Sequence, residues 1–136
     1  MRTFLLLVLT IAISAESEKT NAGMVLLQEC SETANHMLRN SSTESLNQYV
    51  QDVFGTEECS VNTLCKTLTV LKKSHLNRSK LHRQLHSYVV YTEHVRNCNI
   101  TTSLEYTMKD LLKNIKMCCQ KQYSNLLTHM HKKEKK

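Results

Sequence analysis

The 136 residues contain no proline, no tryptophan and only two glycines, Gly23 and Gly55. Architectures built from strands and tight turns use proline and glycine in number, because turns need fixed or positive φ. Their scarcity points to an all-α chain. There is no GxSxG, no glycine-rich phosphate loop and no HExxH. The usual signatures of a nucleophile, a phosphate cradle and a zinc protease are therefore missing, and the chain is read as a non-enzyme without cofactor. The few aromatics do not interleave with basic residues, as stacking on nucleic acid requires, so no nucleic-acid partner is expected.

There is one apolar run, Phe4 to Ile13, with Arg2 before it and small residues at Ser14, Ala15 and Ser17 after it. This is the pattern of a cleaved secretory leader. Residues 1–17 are read as that leader, with cleavage at about 14–17, and residues 18–136 as a single secreted domain. The run is too short to span a bilayer and no second one exists, so no membrane insertion is expected. All six cysteines, Cys30, Cys59, Cys65, Cys98, Cys118 and Cys119, lie beyond the leader. An even count in a short exported chain implies a disulfide framework, but six cysteines allow 15 connectivities. The net charge is +6, much of the excess lying in the tail THMHKKEKK. Two readings stand: a solvated tail, or attraction to sulfated glycans and acidic surfaces.

Apolar periodicity predicts four helices. The first spans about 23–39, with Leu27, Cys30, Ala34, Met37 and Leu38 on one stripe. The second spans about 61–75, through Val61, Leu64, Leu68 and Leu71. The third spans about 79–95, through Leu81, Leu85, Tyr88 and Val89, with Val95 near its end. The fourth spans about 103–130, through Leu104, Met108, Leu111, Leu112, Ile115, Cys118, Cys119 and Leu126. Thr102-x-x-Glu105 is expected to cap it as a capping box. The link around 73–78 is short, so the second and third helices must be antiparallel neighbours. The link 40–60 is long enough to run the length of a bundle. It contains QYVQDVF (48–54), whose β-leaning residues suit a short strand.

His82 and His86 are spaced i, i+4, and His129-x-His131 is a second pair. Either suits zinc, but no acid or thiol completes a site, and a polar exposed helix face accounts for both. No metal is expected. Three glycosylation sequons, at Asn40, Asn77 and Asn99, each fall where a helix is predicted to end. An acceptor must be exposed, and at least one is expected to carry glycan.

Specific residues carry a resemblance. The stretch LLQECSETAN is similar to the first helix of interleukin-4, matching at Leu27, Gln28, Glu29, Thr33 and Asn35. TLCKTLTVLKKSH, with Cys65, resembles the start of that family's second helix, and RSKLHRQL the start of its third. Lys109-Asp-Leu-Leu112 looks more like interleukin-13, and Lys121-Gln-Tyr-Ser124 like the end of interleukin-4. The chain thus resembles the interleukin-4/interleukin-13 cytokine family along nearly its whole exported part, as scattered positions. The mixture resembles the joint forms typical of bony fishes.

The resemblance implies a short-chain four-helix cytokine bundle, up-up-down-down and disulfide-linked. It implies a monomeric secreted cytokine that assembles class I cytokine receptors in type 2 immunity. An interleukin-4 receptor α-type chain would bind one edge, and a common γ or interleukin-13 receptor chain another face. JAK–STAT signalling would follow. Glu29 matches the family's acidic anchor on the first helix, and Asn35 and Tyr123 match positions at the second-receptor face. The family's basic partner on the third helix has no clean match: Arg83 lies in the best-aligned stretch, and the later aligned position is Val90. In that topology Cys65 and Cys98 meet at one end, a pairing that also matches the family. Cys30, Cys59, Cys118 and Cys119 reach similar depths, so one of Cys118/Cys119 is expected to hold Cys30 and the other Cys59. Interleukin-4 differs here, since its terminal bridge joins the chain's extreme ends. The third helix must then end near Tyr91, freeing 92–101 to cross. The competing reading is a basic helical lipid-binding or antimicrobial protein acting on membrane surfaces.

Overall fold

The computed structural model describes residues 2–55, 57–92 and 98–134, with side chains described between 21 and 128 of those ranges. The side chains of 1–20, Val95 and the histidines of the tail lie outside the described residues. The chain is mostly helical. Its elements run α1 (Arg2–Asn40), α2 (Thr43–Leu46), β1 (Tyr49–Gln51), α3 (Val61–Lys73), α4 (Lys80–Thr92), β2 (Glu105–Thr107) and α5 (Met108–Glu134). Among the described residues no helix is long and apolar enough to cross a membrane.

Each helix after α1 starts where a hydroxyl can satisfy an orphan N–H. Ser42 caps α2 and Ser60 caps α3. Ser79 Oγ accepts from the His82 N–H at 3.1 Å, and Thr107 Oγ1 from the Asp110 N–H at 3.3 Å. The predicted stripes supply one core. Leu27, Cys30 and Ala34 of α1 meet Leu64 and Leu71 of α3, Leu81 and Leu85 of α4, and Leu111, Leu112 and Ile115 of α5. All but Leu112, at 1%, are wholly buried. Each leucine buried this way contributes roughly 2 kcal/mol.

Close contacts fix the helix directions. A Cβ on Gly23 would stand 3.1 Å from a Tyr91 ring carbon and 3.7 Å from a Leu126 methyl. Farther along α1, Asn35 accepts a hydrogen bond from Lys116 at 3.0 Å. Thus α1 runs antiparallel to α5. His36 and Lys80 line one cleft, so α1 also opposes α4. The short turn 74–79 makes α3 and α4 antiparallel, as expected.

β1 pairs with β2 antiparallel, Tyr49 opposite Thr107, Val50 opposite Tyr106 and Gln51 opposite Glu105. The ribbon is extended by bonds from the Asp52 N–H to the Leu104 carbonyl at 2.8 Å and from the Met108 N–H to the Gln48 carbonyl at 2.7 Å. The strand anticipated in 48–54 is present. Its partner overturns the expected start of the fourth helix. Residues 105–107 are strand, the Thr102/Glu105 capping box does not form, and α5 begins at Met108. Leu104, expected in the core, is 59% exposed. The reason is competition for the backbone: Leu104 and Glu105–Thr107 gain inter-strand bonds, while the Thr102 hydroxyl accepts locally from the Leu104 N–H at 3.1 Å. α4 ends at Thr92, one residue beyond the expected Tyr91.

Two disulfides are present. Cys65–Cys98 joins the start of α3 to the segment after α4, with Cα atoms 5.2 Å apart. Cys59–Cys118 joins the segment before α3 to α5, with Cα atoms 5.4 Å apart. The expected third bridge is absent: Cys30 and Cys119 are buried thiols. They are neighbours all the same, because a hydrogen bond to Cys119 is the largest cause raising the Cys30 pKa, ahead of burial.

Candidate functional site

Two open clefts flank α1. On one side, an α1/α4 cleft of about 530 Å³ is lined by Glu29, Glu32, Thr33, His36, Lys80 and Gln84. Glu29, Glu32 and His36 recur at helical spacing along α1, so one face presents them together. They are exposed. From α4 come Lys80, in its first turn, and Gln84, one turn later. Gln84 is 9% exposed, and its Oε1 has no hydrogen-bond partner among the described residues. Leaving such an acceptor unpaired costs about 1–3 kcal/mol, and because the oxygen itself is buried a donor in the cleft reaches it only when the Gln84 side chain turns outward. Glu29 at the rim adds a carboxylate that accepts charge-assisted bonds. The cleft suits a ligand rich in donors, such as the arginine, tyrosine or serine side chains of a protein surface.

Arg83 is placed differently. It is exposed on α4 and is absent from the cleft lining. At 100° per residue it lies about 60° from Lys80 and about 100° from Gln84, turned from α1 toward the outer face. The basic group beside Glu29 is Lys80. Val90 is 58% exposed near the other end of α4. Sequence reasoning missed both Lys80 and Gln84. Gln84 carried a legible signal: a polar residue at the i+3 position after Leu81, between the core residues Leu81 and Leu85.

On the other side, an α1/α5 groove of about 410 Å³ is lined by Leu27, Gln28, Ser31 and Glu32 from α1 and by Cys119, Gln120, Tyr123 and Ser124 from α5. Tyr123 is half-buried and packs against the core, which leaves part of its ring facing the groove. Asn35 is also half-buried, and its Oδ1 is occupied by Lys116 Nζ. It braces α1 against α5 one turn below Ser31, outside the groove lining. Glu32 lines both clefts and separates them.

Of the sequence-predicted residues, Glu29 and Tyr123 line different clefts, and Asn35 and Arg83 line neither. The sequon residues Asn40, Asn77 and Asn99 are exposed. Asn40 is the last residue of α1, and its amide donates to the His36 carbonyl at 3.0 Å. His82 and His86 stack with ring centroids 6.4 Å apart. Among the described residues no group of three or more His, Cys, Asp and Glu could hold a metal. No family model, no curated protein and no solved structure matches the chain.

Proposed function

We propose that the protein is a secreted helical cytokine of interleukin-4/interleukin-13 type, which brings two class I cytokine receptor chains together and so starts JAK–STAT signalling. The observation that carries this reading is the α1/α4 cleft. It joins an exposed acidic residue at the family's anchor position, Glu29, to a buried acceptor with no partner, Gln84. Protein interfaces concentrate their energy in such spots, where a few polar groups are desolvated by a close-fitting partner. In this reading an interleukin-4 receptor α-type ectodomain docks on the α1/α4 edge. A second chain takes the α1/α5 groove around Tyr123, a large ring with a polar tip. The helix directions agree with an up-up-down-down bundle of α1, α3, α4 and α5. The exposed sequon residues agree with a glycoprotein, and the two disulfides agree with export.

The test measures STAT phosphorylation in leukocytes treated with the mature protein, beside binding to isolated receptor ectodomains. Glu29→Lys should lower binding at least about tenfold, as expected for a hot-spot charge worth more than 1.4 kcal/mol, with an unchanged far-UV spectrum. Tyr123→Ala should spare the first binding step and lower signalling. Undiminished signalling by folded Glu29→Lys removes the α1/α4 edge from the interface. Silence in every leukocyte type, with vesicle binding that falls as salt rises, would favour a lipid-surface protein instead.

A further inference from the structure

The hairpin of α3 and α4, residues 59–92, contains Lys66, Lys72, Lys73, Arg78, Lys80 and Arg83 and neither Asp nor Glu. Its charge equals the +6 of the whole chain, so every other basic residue is balanced by an acid elsewhere, the lysine-rich tail included. Lys66 is neutralised by its ion pair with Glu57. The other five are exposed, and none has an ion pair among the described residues.

Lys73 lines a cleft beside β1; the other four share one side. On α4 the core faces are taken by Leu81, Leu85, Tyr88 and Val89. At 100° per residue, His82, His86, Arg83 and Lys80 then fan across the opposite face in that order. Lys72, at the end of α3, flanks this fan. The pKa of His82 is lowered by burial first, then by His86, then by Lys72. Arg78 joins from the turn with φ at 69°, a left-handed conformation that glycine adopts at no cost and arginine does not. The most expensive residue in the turn is thus also a cation on the charged face.

What is missing from this face narrows the partner. Its large exposed apolar residue, Val90, lies at the far end of α4, so there is no wedge for a lipid surface. Tyr88 is 3% exposed, so it offers no stacking platform for bases. The rings on this face are the imidazoles of His82 and His86, stacked on each other, and a hydrated surface of cations with so little apolar relief suits a partner read by charge.

We infer that the outer face of the α3–α4 hairpin, centred on Lys72, Arg78, Lys80 and Arg83, binds linear sulfated polysaccharide. Lys80 also borders the α1/α4 cleft beside Glu29, whereas Lys72, Arg78 and Arg83 line neither cleft, so substitutions at those three test the polysaccharide surface separately. Asn77 stands beside Arg78 in the turn, and a glycan there would cover the surface.

The experiment uses the mature chain carrying Asn77→Gln and measures affinity for heparin across a salt series. Binding is expected to weaken steeply with salt. Combining Lys72→Gln, Arg78→Gly and Arg83→Gln should weaken it at least about tenfold at about 0.15 M salt, with unchanged far-UV spectrum. Lys109→Gln, Lys113→Gln and Lys121→Gln together remove the same charge from α5 and should leave affinity within about twofold. Three results would overturn the inference: no heparin binding by the parent, loss on neutralising the tail lysines but not the hairpin, or equal binding to phosphatidylserine vesicles.

Discussion

Removing the Cys59–Cys118 bridge should cost more stability than removing the thiols beside it. The bridge spans 59 residues, and cross-linking a loop of that length removes unfolded-state entropy worth about 4 kcal/mol. Cys118 is 2% exposed, so truncation to alanine adds a small cavity worth roughly 1 kcal/mol. The double variant Cys59→Ala/Cys118→Ala should therefore lose about 4–5 kcal/mol, a third or more of the ~5–15 kcal/mol a domain possesses. For roughly 120 residues this lowers Tm by about 15–20 °C. The matched control is Cys30→Ala/Cys119→Ala, which removes two buried thiols but no cross-link and should lose about 2 kcal/mol. Urea unfolding of the non-reduced proteins, with slopes compared, measures both. If the control loses more than the bridge variant, then Cys30–Cys119 is the true cross-link. If the bridge variant loses less than about 1 kcal/mol, the loop-entropy reasoning fails.

Thiol titration should find two reactive cysteines after denaturation and none in the native protein, because Cys30 and Cys119 are buried; finding none after denaturation would show a third disulfide. The Cys30 thiol is raised above its ordinary value by its Cys119 partner and burial, so the unfolded chain releases this proton first. Stability should be level below about pH 8.5 and fall above it by up to about 1.4 kcal/mol per pH unit, a slope that Cys30→Ser should lessen. Leu111→Ala should cost about 3 kcal/mol in urea melts, whereas Leu104→Ala should stay within about 0.5 kcal/mol. Arg78→Gly should relieve the left-handed backbone and change stability by no more than about 1 kcal/mol in either direction; a larger loss would mean that the arginine side chain holds the turn.

The helices were legible because burial imposes a period on the sequence. Leu64, Leu68 and Leu71, and Leu81, Leu85 and Tyr88, lie on the core-facing stripes the spacing predicts. The start of α5 was not legible from its own residues. Thr102 and Glu105 satisfy a local capping rule, and only the distant segment 49–51 decides that their backbone pairs across a ribbon instead. α2 escaped notice because four residues are too few for any period. Cys59 and Cys118 were placed within reach of each other by depth along the helices, but depth could not decide which neighbour, Cys118 or Cys119, faces which partner. That choice depends on the 100° between adjacent side chains. At the candidate site, Glu29 was visible through resemblance. Gln84 needed the structure, since only packing shows that its oxygen is buried and alone. The charge of the hairpin is legible in a stretch without acids, but only the fold shows which of its cations share a face.

The β1–β2 ribbon makes the two long connections behave as one belt, and this sets where the chain tolerates length changes. Between Asp52 and Ser60 an inserted residue meets no ladder bond, so the register of the ribbon is kept. An insertion between Gln48 and Tyr49 is another matter. The Gln48 carbonyl is fastened to the Met108 N–H, so β1 would slip by one residue against β2. Buried Val50 would then turn to solvent and exposed Tyr49 inward. Related chains are therefore expected to vary in length on the α3 side of the ribbon and to keep a fixed count on the other.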